Sequence, residues 1–286
     1  MKVLVTGGRG QLGRSLLRVG TRRGDVVHAL GSDVLDVTRR EQIAEALLVY
    51  RPDVVIHAAA FTAVDRAEIE RERAFAINHA GAANVASACA DADMPLLHVS
   101  TDYVFDGSAT RPYREDDPVA PINVYGASKA GGERDVIAAG GVVVRTAWLF
   151  GAGGPSFVHA ILARARVDRE LRVVADQRGC PTWSDDLAEA LLRLAREPAR
   201  ESVYHACGAE PTTWYGLASA IVEEARRHGA LACEHVAPIT TADYPTVARR
   251  PAYSVLDGAR LAALAITVPS WRAGLRRVVA DARGGA

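Results

Sequence analysis

Short runs of Val, Ile and Leu punctuate the first half of the chain, and each is followed by a longer stretch with apolar residues at helical spacing. The runs at 3–6, 26–30, 54–57, 96–100 and 142–146 are largely apolar throughout, as strands are when both faces of a sheet are covered. The stretches between them predict helices, among them 43–50, closed by Arg51-Pro52, and the alanine-rich 74–92. Strand and helix in alternation predict an α/β fold with a doubly wound parallel sheet. Beyond residue 145 the pattern loosens into the Gly-rich run 151–155, scattered prolines, and helices near 185–196, 214–228 and 271–281. A smaller, loop-rich lobe is expected there. Residues 1–147 are read as the sheet domain and 148–286 as mainly the second lobe, with some segments returning to the sheet. No polar linker separates the two, so they are expected to pack tightly.

Charge narrows the function. The 34 cations and 34 anions among 286 residues cancel, and a chain without surplus cations is a poor phosphate-driven nucleic-acid binder. No uninterrupted apolar stretch reaches membrane-spanning length, and the start, Met1-Lys2-Val3-Leu4-Val5-Thr6, is too short for a signal peptide. Cys89, Cys180, Cys207 and Cys233 lie far apart, without a C-x-x-C pair or zinc spacing. A soluble, reduced, cytoplasmic protein is expected. Only two lysines, Lys2 and Lys129, stand among the 34 cations, so a lysine retained inside the chain needs a reason.

Directly after the first strand comes Thr6-Gly7-Gly8-Arg9-Gly10-Gln11-Leu12-Gly13, followed by a helical pattern. Glycines at 7, 10 and 13 permit a tight turn, close backbone approach to a pyrophosphate, and helix-on-strand contact, with the helix N-terminus favouring negative charge. This is the dinucleotide-binding pattern of a Rossmann-type sheet. NAD sites usually end the second strand in an acid that bonds the ribose, whereas Gly31-Ser32 follows Ala29-Leu30 here. Arg9 can reach a 2′-phosphate, which favours NADPH, while Asp33 is close enough for NADH to serve.

Tyr125 and Lys129 are four residues apart and so share one face of a helix. A phenol titrates near 10 in water, and a fixed ammonium beside it is expected to favour its ionised form. Ser100 and Thr101 fall at the carboxyl end of the fourth strand, the edge where open α/β sheets bind ligands. Thr101 there can hydrogen-bond a substrate carbonyl.

Together these pieces resemble the extended short-chain dehydrogenase/reductases, and over nearly the whole chain the sequence resembles the dTDP-4-dehydrorhamnose reductase family. The resemblance rests on 7–13, on 51–65 (RPDVVIHAAAFTAVD), on 100–107 (STDYVFDG), on 121–129 (PINVYGASK), on 145–151 (RTAWLFG), on 176–182 (DQRGCPT) and on 244–251 (YPTVARRP). It implies that Thr101, Tyr125 and Lys129 are catalytic. It assigns Gly10, Gln11 and Leu12 to the phosphates, beside the Gly7, Arg9 and Gly13 read from the loop itself, and Asp36 and Val37 to the adenine. Ala58, Ala59, Ala60, Phe61 and Thr62 would line the riboses, with Tyr125 and Lys129 also touching the cofactor. Val64, Thr101, Asp102, Tyr125 and Trp148 would meet the substrate. The implied reaction is NADPH-dependent reduction of the C4 ketone of a nucleotide-linked 4-keto-6-deoxysugar, foremost dTDP-4-dehydrorhamnose to dTDP-L-rhamnose, with another dTDP-deoxysugar such as dTDP-dihydrostreptose as the alternative.

Departures from the family matter. Where some members hold magnesium at a dimer contact through glutamates, this chain has Ser15, Asp185 and Arg272, so no metal is expected, and the protein is read as a monomer or weak homodimer. A 4,6-dehydratase follows its threonine with Asp-Glu, but here Asp102 precedes Tyr103. Epimerases hold NAD through an acid after the second strand, where Gly31 sits. A non-catalytic module is the reading from another class, since the regulatory beta subunit of methionine adenosyltransferase resembles the same family. The full Thr101, Tyr125, Lys129 set favours catalysis.

Overall fold

Five strands arise where β-branched runs meet register partners: β1 (Lys2–Thr6), β2 (Val26–Leu30), β3 (Val54–His57), β4 (Leu96–Thr101) and β5 (Val142–Thr146). In this computed structural model, which describes residues 1–152, 154–197 and 202–282, they form one parallel sheet in the order β2-β1-β3-β4-β5, extended past β5 by Val203–His205. Gly153 of the Gly-rich run, and residues 198–201 and 283–286 of the second lobe, lie outside the described residues.

Both faces of the sheet are covered, as the continuous apolar runs require. Val3, Val5, Val54, Ile56, Val142 and Val144 pack under helix α1 (Gln11–Arg22) and the helix Ser184–Leu194. Leu4, Val55, Leu96 and Val143 face the other way, onto helix α2 (Arg40–Tyr50) and the helix Gly81–Asp91. Each such side chain removed from water contributes about 1.5–3 kcal/mol. The chain leaves β1 for β2 on one side and returns to β3 on the other, so a crevice opens beyond the carboxyl ends of β1 and β3.

A second core gathers Phe150, Leu162, Leu171, Ile221, Trp271 and Leu275. The helices Phe157–Ala165, Trp214–Arg226 and Arg272–Asp281 contribute to it, as does a parallel pair of strands, Glu170–Val174 and His235–Ile239. This lobe is more regular than the loop-rich one expected. Pro238 lies inside the second strand, and a proline argues against a strand unless it sits at an edge.

The single helix expected over 74–92 is in fact three pieces: Arg71–Phe75, a π-helical turn Ala76–Ala80, and Gly81–Asp91. The wide turn accommodates close packing on the helix Val124–Ala138, where a Cβ on Gly132 would meet the Asn78 carbonyl oxygen at 2.3 Å. Among the described residues no helix is long and apolar enough to cross a membrane.

Candidate active site

The glycine loop caps β1. Gly7 takes a left-handed φ of 70°, the Gly8 N–H donates to the Leu30 carbonyl (2.7 Å), and the Gly10 N–H donates back to the Gly7 carbonyl (2.9 Å). A Cβ at Gly8 would lie 2.3 Å from the Ala29 carbonyl carbon, and one at Gly13 would lie 2.5 Å from the Gly7 oxygen. Only glycine lets the loop sit this tightly. Helix α1 begins at once, with no side chain capping its N-terminus and no acid in its first turn. Its free N–H groups and positive dipole end fit a dinucleotide's phosphates. Arg9 pairs with Asp33, and both groups are largely exposed.

One cavity of about 660 Å³ runs from this loop across the ends of β3, β4 and β5. Gly7, Arg9, Gly10, Gln11, Leu12 and Gly13 form one end, beside Asp36 and Val37. Ala58, Ala59, Ala60, Phe61 and Thr62 form its middle wall. Val64, Thr101, Asp102, Tyr125, Lys129 and Trp148 line the remainder, so every residue the resemblance gives to catalysis, cofactor or substrate borders one space. Of Ser15, Asp185 and Arg272, the first two meet at Arg18, which donates to both, whereas Arg272 pairs with Glu210.

The helix Val124–Ala138 positions the reactive groups. Asn123 caps it, accepting from the Gly126 N–H at 2.7 Å, and Gly126 lets the helix approach so closely that a Cβ would lie 2.1 Å from the Tyr103 carbonyl oxygen. Tyr125 thereby meets Tyr103 edge-on at 5.8 Å. Burial pushes the Tyr125 phenol up to about 12, with the Thr101 hydroxyl pulling the other way. Burial outweighs that pull, so the ionised phenol expected from the sequence is not favoured here. The Lys129 ammonium turns inward, donating to the Val99 carbonyl (2.7 Å) and meeting His98 Nε2 (3.2 Å). Burial pushes Lys129 down to about 8. Thr101 donates to Asp102 Oδ1 at 3.0 Å, and burial drives the Asp102 carboxyl up to about 7.

Trp148 stands at a left-handed φ of 46°, its indole stacked on Trp214 with ring centroids 3.5 Å apart. Gly179 makes room, since a Cβ there would lie 2.5 Å from the indole. Trp214 lines the same cavity, as do Tyr103 and Arg73, and the sequence reading passed over all three. Trp214 opens a helix far along the chain, and Arg73 sits in a charge run that looks like a solvated face. Tyr103 follows Thr101-Asp102 directly, which was the one available signal.

The RmlD substrate binding domain family matches residues 1–283. A dTDP-4-dehydrorhamnose reductase of Streptomyces griseus is 44% identical over 95% of this chain and 91% of that protein. The spore coat polysaccharide biosynthesis protein SpsK of Bacillus subtilis is 39% identical over 98% of this chain and 97% of its own length. Among solved structures, a dTDP-4-dehydrorhamnose reductase of Bacillus anthracis in complex with NADP superposes with a TM-score of 0.91 at 35% identity, covering 98% of this chain and 99% of that one.

Proposed function

The chain belongs to the RmlD substrate binding domain family, that of the dTDP-4-dehydrorhamnose reductases, and from that premise we propose how its residues act. The reaction is NADPH-dependent reduction of the C4 ketone of dTDP-4-dehydrorhamnose to dTDP-L-rhamnose. One observation carries the assignment of residues to it: the glycine loop and the Thr101, Tyr125, Lys129 set border one continuous cavity.

When bound, the reduced nicotinamide supplies the hydride to C4. Tyr125 donates its proton to the carbonyl oxygen as that hydride arrives, so ketone, hydride and proton give the alcohol. Burial keeps the phenol protonated until then. Thr101 turns its one hydroxyl proton from Asp102 to the same oxygen, and Lys129 holds the nicotinamide ribose. Gln11, Leu12 and Gly13 hold the pyrophosphate through the free N–H groups of the first helical turn, Gly7 and Gly10 shape the turn that lets it approach, and Arg9 exchanges Asp33 for the 2′-phosphate. Asp36 and Val37 flank the adenine, and 58–62 flank the riboses. Val64, Asp102 and Trp148 border the sugar. Residues 1–147 are thus the dinucleotide-binding part and 148–286 mainly the substrate lobe. We take the protein to be a monomer or weak homodimer, because Asp185 and Arg272 are each committed to partners within the chain, and to be cytoplasmic, because its four cysteines lie far apart without a C-x-x-C pair.

The test follows the loss of reduced-nicotinamide absorbance with dTDP-4-dehydrorhamnose, with NADPH and NADH run side by side, and reads the C4 configuration of the product by NMR. Formation of dTDP-L-rhamnose is expected. No turnover on any dTDP-4-keto sugar, with co-purification of a partner enzyme, would establish the regulatory module instead.

A further inference from the structure

Behind Lys129 the sheet carries a row of buried polar side chains. Thr6, His57 and His98 are register partners across β1, β3 and β4, and all three are fully buried. Thr6 Oγ1 accepts from the Ala59 N–H (3.2 Å) and shares a 2.6 Å hydrogen bond with His57 Nδ1. The His57 and His98 rings lie 4.9 Å apart, and His98 Nε2 meets the Lys129 amine. The row therefore runs from the foot of the glycine loop to the base of the cavity, across the middle of the sheet. Nothing in the mechanism above uses it.

Donor counting gives the row a task. An ammonium has three donors and no acceptor; Lys129 gives one to the Val99 carbonyl, and the contact with His98 uses the second. Against a charged lysine Nε2 is the acceptor, which puts the proton of the neutral His98 ring on Nδ1, a buried atom with no hydrogen-bond partner of its own. A single lysine donor is left for a ligand in the cavity. Resting on the reductase reading, we propose that His98 is a positioning residue. Its neutral imidazole, packed against the His57 ring, holds the Lys129 ammonium so that one N–H remains for the ribose. Other ionisable groups around Lys129 are disposed compatibly. His57 on β3 is held neutral by burial, Glu133 on the same helix is paired with Arg145 of β5, and Tyr125 and Asp102 lie on the cavity side.

The experiment uses the full chain in three forms: parent, His98→Leu and His98→Gln. Leu removes the acceptor, whereas Gln keeps a carbonyl oxygen able to receive the lysine donor. In His98→Leu the alkaline limb of the kcat/KM profile should move about one unit to lower pH, because the ammonium has lost an acceptor that favours it. NADPH binding, read by fluorescence, should weaken about tenfold, equivalent to about 1.4 kcal/mol. In His98→Gln both should return towards the parent. An unmoved limb in His98→Leu, or an equal displacement in both variants, would overturn the proposal, since packing alone would then explain the histidine. Should the leucine variant not fold, 15N NMR of histidine-labelled parent near pH 7 decides. An unprotonated Nε2 on His98 supports the hold on Lys129, and a proton on Nε2 refutes it. A parent that turns over no 4-keto sugar sinks the reductase reading, while the NMR tautomer still tests the contact.

Discussion

The two walls of the cavity are built on different principles. The sheet-side wall is mostly backbone and short side chains: the glycine loop and 58–62 leave the paired ends of β1 and β3, and Thr101 is in register with Thr146. The lobe-side wall depends on large rings, with Trp148 lying on Trp214 and Phe157 tilted 4.6 Å from the same indole. A wall of backbone holds a constant ligand part, because glycines and strand ends leave little to vary. A wall of stacked rings can be reshaped one side chain at a time. The same family fold can therefore keep a cofactor and change a sugar.

Breaking each wall should have separable consequences. The largest effect is expected from Tyr125→Phe, where kcat should fall by about 10²–10⁴-fold with NADPH affinity nearly unchanged, as stopped-flow and fluorescence titration can measure. Gly13→Ala attacks the sheet side. Its new methyl meets backbone at 2.5 Å, so denaturant unfolding should show a loss of about 2 kcal/mol, together with weakened NADPH binding.

His57→Asn probes how far burial governs the sheet side. His57 is pushed down to about 3 from an ordinary 6.5, so below 6.5 the unfolded chain takes a proton that the folded chain refuses. That share of stability is present above the unfolded value and is lost as pH falls. Between pH 6.5 and 5 it amounts to about 2 kcal/mol. The variant should be less stable than the parent at neutral pH yet lose less on acidification, as paired urea melts at the two pH values would reveal. Trp214→Leu, on the lobe side, should raise the sugar KM about fivefold and leave NADPH affinity alone. A matching loss of NADPH affinity would mean that the walls are not independent.

Much of the sheet side was legible before the fold was known. The five apolar runs became β1 to β5 with at most one residue's change at an end, since burial on both faces leaves a pattern that solvent cannot blur. The glycine loop was equally plain, because the requirement for missing Cβ atoms is local. The lobe side was harder. Glu170–Val174 and His235–Ile239 pair across a long separation, and Trp148 was readable only by resemblance, with its partner Trp214 unseen. The π-turn at Ala76–Ala80 was also hidden, since it answers to the helix packed against it.

The amino-acid sequence by itself determined the parallel sheet, the phosphate-binding loop and the tyrosine and lysine on one helical face. Each depends on periodicity or on residues a few positions apart. Tertiary structure decided where the lysine's charge points. Lys129 and His98 belong to different elements, and only the packing of that helix onto β4 brings ammonium to imidazole. Burial then set the proton affinities of all three, because desolvation is a property of the assembled interior and of no single segment.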